Sequence, residues 1–144
     1  MPRIERTATV TWEGNVARGS GHISAGTGAF TELPYSLPVR IGSGKQGKTS
    51  PEELLAAAHA ACFSMALSNG LAKDGTPPER LETSATVTFV PGTGITKIAL
   101  TVVGRVPGLD EEGFRQAAET AKDNCPVSKA LAGVPEITLD ASSA

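Results

Sequence analysis

The chain has 144 residues, with 13 Lys and Arg against 15 Asp and Glu for a net charge of −2. This length predicts one domain, 1–144, able to bury a core, and the charge balance argues against a nucleic-acid partner or a basic membrane patch. The longest apolar run reads as too short and too Ala-rich for a bilayer span, and residues 1–15 lack the apolar stretch of a secretory signal, so the expected compartment is the cytoplasm.

Residues 1–49 read as antiparallel strands. Ala8, Val10 and Trp12 alternate with Thr7, Thr9, Thr11 and Glu13, the period-2 pattern of a half-buried strand, and Glu13-Gly14-Asn15 turns the chain. Arg18 to Ser24 predicts a second strand containing His22. Thr31 to Ile41 predicts a third extended segment, confined to an edge or bulge by Pro34 and Pro38. The glycines and lysines of residues 42–48 predict an exposed loop.

Thr49 to Gly70 predicts the central helix. Ser50 is suited to cap it, Pro51 to its first position, and Glu53 to a capping box with Ser50. Asn69-Gly70 offers a stop. Leu54 to Met65 has no continuous polar face, which predicts burial on most sides by sheet or by a partner subunit. Leu81 to Val90, a turn at Pro91 to Gly94, and the apolar positions Ile98, Leu100, Val102 and Val106 predict a hairpin. Asp110 is suited to cap a second long helix, with Phe114, Ala117, Ala118 and Ala121 on one face, ending near Asn124 because Cys125 precedes Pro126. Pro126 then starts a short helix through Leu131, Glu136 to Leu139 is a last strand, and residues 140–144 are a tail. Helices set between antiparallel strands predict an α+β domain.

Cys62 and Cys125 form no CxxC pair and fall short of a four-ligand zinc set. Inert buried thiols, a redox couple, and a metal site with His59 or His22 all remain open. Cys62 lies mid-helix, where apolar neighbours raise its pKa, so an active Cys62 needs a cation from elsewhere. Arg18 and Arg40 are the candidates, and Arg40, flanked by Val39 and Ile41, is the better placed. Cys125 stands at a helix start, where backbone N–H groups favour an anion. Glu53 has a capping task and Glu52 has none beyond the helix dipole. His59 shares a helix face with Cys62, as a hydrogen-bonded core residue or as part of a metal pair.

Trp12-Glu13-Gly14, Pro34-Tyr35, residues 49–67 with Pro-Glu-Glu-Leu and Ala-His-Ala-Ala-Cys-Phe-Ser-Met-Ala-Leu, and Asn124-Cys125-Pro126-Val127-Ser128-Lys129-Ala130-Leu131 resemble the OsmC/Ohr family of thiol-dependent hydroperoxide reductases. The Ala-His-Ala-Ala-Cys form and the position of Arg40 are closer to the OsmC branch. The resemblance implies antiparallel sheets wrapped around a central helix in an intertwined homodimer. It also implies a peroxidase of oxidative or osmotic stress defence, acting on a small-molecule hydroperoxide and recycled by an external dithiol. Cys62 would be the peroxidatic cysteine, Cys125 the resolving one, Arg40 the activating cation and Glu52 the carboxylate beside that arginine; no metal or organic cofactor is implied.

Glu52 and Cys62 are ten residues apart on one predicted helix, about 15 Å of rise, too far to share a hydrogen-bonded site within one subunit. If Glu52 serves the site, it is therefore expected to come from an antiparallel dimer partner, unless the helix starts later than Pro51. The rival function is non-enzymatic binding of an apolar ligand in the dimer crevice; a general disulfide oxidoreductase is weaker for want of a CxxC.

Overall fold

A computed structural model describes residues 2–144. The elements in order are β1 (Ala8–Glu13), β2 (Ser20–Ala25), β3 (Leu33–Tyr35), α1 (Leu37–Ile41), α2 (Pro51–Lys73), β4 (Arg80–Val90), β5 (Gly94–Arg105), α3 (Glu111–Asn124), α4 (Pro126–Ala130) and β6 (Glu136–Ser143). They fall into two compact units, 1–51 and 52–144.

The N-terminal unit holds an antiparallel sheet in the order β1-β2-β3. Gly21 of β2 pairs with Trp12 on one side and Tyr35 on the other, and those two rings lie 5.5 Å apart across it. A Cβ at Gly21 would come within 2.5 Å of Tyr35 and 2.8 Å of Trp12, so only glycine lets the rings meet. β1 forms where the alternation predicted it, yet all six of its residues are exposed rather than half-buried. The third extended segment is also shorter than expected: Pro34 sits on an edge strand, but the chain then turns into α1. Pro38 occupies the first turn of α1, where a fixed φ and a missing N–H suit a helix as well as a strand edge.

The C-terminal unit holds the sheet β4-β5-β6. β4 and β5 form the expected hairpin, and β4 alternates strictly between exposed and half-buried residues. β6 pairs with β5 in parallel, from Lys97↔Glu136 to Gly104↔Ser143. The sheet is thus mixed, and residues 140–143 extend a strand instead of trailing as a tail. The intervening α3 and α4 supply the crossover that a parallel pair requires.

Phe63, Leu67 and Leu71 of α2 pack with Leu100 and Val102 of β5 and with Phe114, Ala118 and Ala121 of α3. Two helices therefore share one sheet face. Gly104 admits α3 closely, since a Cβ there would come within 2.4 Å of the Phe114 ring. Asp110 caps α3 as predicted, its carboxylate accepting from the Gly113 N–H at 2.8 Å.

α2 starts at Pro51 as read, but runs through Gly70 to Lys73. Its stop is Gly75, at φ +89°, with Thr76 N–H donating to Leu71 O at 2.9 Å and Gly75 N–H to Ala72 O at 3.1 Å, the Schellman pattern. Asn69-Gly70 tolerates a left-handed residue without requiring one. Nor is α2 covered on most sides: its buried residues are Glu52, His59, Phe63, Leu67 and Leu71, while Met65 is 74% exposed. By length and composition α2 is apolar enough to cross a bilayer, contrary to the sequence expectation; one stripe of it is packed on protein.

Candidate functional site

The site in the C-terminal unit is built from α2 and from the α3–α4 junction. Helical spacing on α2 points His59 and Phe63 to the core and leaves Cys62, between them in sequence, half-buried at the margin. Cys125 ends α3 and begins α4 with extended backbone, φ −60° and ψ 123°, as the residue before a proline must. That bend turns its side chain inward, where it is fully buried.

The fold brings the two thiols close enough to act on each other's charge, with Cys62 packed against the core cluster that contains Cys125. Burial pushes Cys62 above the ordinary thiol range; the Val127 N–H draws it partly back, and the facing Cys125 adds to the rise. Burial also works against a charged Cys125, but it is outweighed by the nearby Ser128 N–H, Cys62 thiol, Ser128 hydroxyl and Val127 N–H, which favour the charged sulfur. Cys125 is therefore held below its ordinary value. Cys125 accepts no capping hydrogen bond at the start of α4, and these N–H groups act on its sulfur as nearby dipoles. Within this unit Cys125 is thus the more acidic of the two thiols and Cys62 the less acidic.

Access divides the thiols the other way. An open groove of ≈ 860 Å³ runs between α2 and α3, lined by Cys62 with Met65, Ala66, Leu109, Ala117 and Ala121 and by the polar groups of Asn69, Lys73, Gln116 and Asn124. Cys62 is at its wall; Cys125 is not. An incoming molecule meets Cys62 first.

Glu52 is in the first turn of α2, buried to 7% exposure, a position that a carboxylate holds with polar partners. The continuous helix keeps it about 15 Å of rise from Cys62 of its own chain. Arg40 belongs to the N-terminal unit, half-buried in the last turn of α1 rather than on a strand. It lines a cavity of ≈ 230 Å³ with Trp12, Val16, Tyr35, Ser36 and Leu37. Arg18 is exposed on the β1–β2 turn. His22 is on β2 in the same unit, away from any dithiol of its own.

His59 meets neither cysteine directly. It is fully buried, with Nε2 2.7 Å from the Ser128 hydroxyl, so the hydrogen-bonded core reading is the one that holds. Burial lowers its pKa and keeps the ring neutral. Sequence reasoning assigned Ser128 no task. Its position three residues after Cys125, at the start of a proline-led helix, was the available signal.

An α+β fold presenting a buried dithiol beside an open groove defines a class of thiol-based proteins, and comparison with known proteins narrows it. The family model for OsmC-like proteins matches residues 42–140. Peroxiredoxin OsmC of Escherichia coli is 44% identical over 95% of each chain. Organic hydroperoxide resistance protein OhrB of Bacillus subtilis is 33% identical over 93% of this chain and 96% of its own. The crystal structure of that OhrB aligns with a TM-score of 0.66 and 30% identity, over 94% of this chain and 98% of that one. The chain belongs to the OsmC-like family.

Proposed function

We propose that this chain is a thiol-dependent peroxidase reducing organic hydroperoxides, and hydrogen peroxide more weakly, in oxidative or osmotic stress defence. The observation that carries the reading is the meeting of Cys62 and Cys125, distant in sequence, with Cys62 alone of the two opening on the groove. The relatives' names, peroxiredoxin and organic hydroperoxide resistance protein, support it.

The Cys62 thiolate attacks one peroxide oxygen; an S–O bond forms, the O–O bond breaks, and the departing alkoxide leaves as alcohol after taking a proton. Cys125 then attacks the sulfenic sulfur, forming the S–S bond and expelling hydroxide, which is protonated to water. An external dithiol reduces the disulfide by exchange and is itself oxidised. The largely apolar groove favours peroxides with a hydrocarbon tail.

Because burial raises the Cys62 pKa within its own unit, the reaction needs a cation that favours its thiolate. Arg40 is proposed for that task and for holding the peroxide, with Glu52 orienting the guanidinium. In this reading residues 1–144 work as one domain, in a homodimer whose partner subunit supplies Glu52. The uncovered apolar stripe of α2 with Met65 and the exposed β1 support a second copy as cover. The reaction runs in the cytoplasm, with neither membrane nor nucleic acid as partner.

The test is consumption of cumene hydroperoxide with a recycling dithiol. Cys62→Ser reduces it to background, and Cys125→Ser leaves one turnover without recycling. An original rate in the Cys62→Ser protein sinks the reading. Two free thiols by mass spectrometry after peroxide treatment of the parent would turn it toward apolar-ligand binding without catalysis.

A further inference from the structure

His59 is the most deeply buried titratable side chain that the proposed chemistry leaves without a task. Its Nε2 lies 2.7 Å from Ser128 Oγ, and Ser128 stands three residues after Cys125 in the first turn of α4, its hydroxyl beside the Cys125 sulfur. All three residues are buried: His59 and Cys125 at 0% exposure, Ser128 at 8%. The chain of contacts runs from α2 through α4 to the α3–α4 junction and ends on a reacting atom.

The protons can be counted. A neutral imidazole carries one N–H and one bare nitrogen. His59 Nδ1 is buried with no hydrogen-bond partner among the described residues. A proton on Nδ1 would be an orphaned buried donor, a costlier state than a bare lone pair. The proton therefore belongs on Nε2, which donates to Ser128 Oγ. The single hydroxyl proton of Ser128 is then left free for the Cys125 sulfur beside it.

We propose, resting on the peroxidase reading, that His59 and Ser128 form a buried relay that stabilises Cys125 as a thiolate, both as attacking group and as leaving group. Ser128 touches a reacting atom and acts as a catalytic residue; His59 acts through it as a positioning residue. In closure, the Cys125 thiolate gives its electron pair to the Cys62 sulfenic sulfur as hydroxide departs and takes a proton from solvent. In opening, a thiolate of the external dithiol attacks the groove-facing Cys62 sulfur. The S–S electron pair stays on the departing Cys125 sulfur as a thiolate, to which the Ser128 hydroxyl donates a hydrogen bond. The dithiol's second thiol then releases Cys62 and completes the two-electron exchange. A leaving thiolate that is stabilised departs faster.

The titratable groups facing Cys125 are Cys62, directly, and His59, through Ser128, both from α2. Lys122, Asp123 and Lys129 line the groove on the far side of Ser128 and are common to every variant compared. The test begins in a Cys62→Ala background, where thiolate absorbance against pH titrates Cys125 without solvent access or peroxide. Ser128→Ala raises the midpoint by about one pH unit, the worth of a hydrogen bond to a charged group. Ser128→Thr, which keeps the hydroxyl, restores it, and His59→Phe gives a smaller rise. With both cysteines present, dithiothreitol opens the disulfide about threefold more slowly in Ser128→Ala than in the parent.

A midpoint in folded Ser128→Ala that coincides with the parent's overturns the relay. If that variant does not fold, an unmoved midpoint in His59→Phe does so. A Thr variant shifted as far as the Ala variant also overturns it. The titration involves no peroxide, so loss of peroxidase activity in the parent would end the functional reading while leaving the relay testable. An unmoved midpoint beside intact peroxide consumption would end only the relay.

Discussion

The two three-stranded sheets of this chain carry comparable alternation and are covered very differently. In the C-terminal unit, Ile98, Leu100 and Val102 of β5 are buried to 1% exposure or less, with α2 and α3 packed over the latter two. In the N-terminal unit, every residue of β1 is exposed, and Ile23 is the sheet's one buried hydrophobic side chain among the described residues. Alternation therefore reports which side chains favour leaving water, not what removes them from it. The unit that makes its own cover also holds both thiols. The unit left open holds Arg40, the proposed cation.

The comparison breaks most sharply at that division of labour. Arg40→Ala should lower the rate of peroxide reduction at neutral pH by about 100-fold or more, the scale of losing one preorganised charge from a site. Its pH profile should change with it. Left to its own unit, Cys62 has a raised pKa, so its thiolate fraction grows only as pH climbs through and beyond the ordinary thiol range. The variant should recover rate with rising pH where the parent is already level. Stopped-flow oxidation across pH measures this, and a parent-like profile in Arg40→Ala would place the whole chemistry in the C-terminal unit.

Packing offers the next contrast. Phe114→Ala removes a ring at 1% exposure from over Gly104 and should cost about 3–5 kcal/mol in denaturant unfolding. Trp12 is 36% exposed and should cost clearly less on the same change. Equal losses would mean that the N-terminal sheet is covered in solution as thoroughly as the other, as a second copy would cover it. The smallest effect belongs to the ion pair of Arg80 and Glu82 on β4. Arg80 lowers the Glu82 pKa, but both groups face solvent, so Glu82→Gln should leave the unfolding midpoint unmoved at neutral pH.

Much of the fold was legible residue by residue. Pro51, Asp110 and Pro126 marked helix starts because capping and a fixed φ act within one turn of chain. The alternation from Leu81 to Val90 marked β4, and the two cysteine motifs marked the site. Pro38 was ambiguous, since its fixed φ suits both an edge strand and a helix's first turn. Gly70 and Gly75 are equally able to end a helix, and the hydrogen bonds of Thr76 and Gly75 chose the second.

By itself the sequence determined most of the element types, the family and the pair of thiols, because these depend on local backbone preference and on motifs that survive without a partner. Tertiary structure alone decided that β6 runs parallel to β5, that Cys62 rather than Cys125 faces the groove, that Cys125 is the more acidic thiol, and that Ser128 and His59 stand behind Cys125. Each of these depends on which groups meet across the fold. Strand pairing, solvent access and thiol acidity are properties of such meetings, and no single stretch of chain contains them.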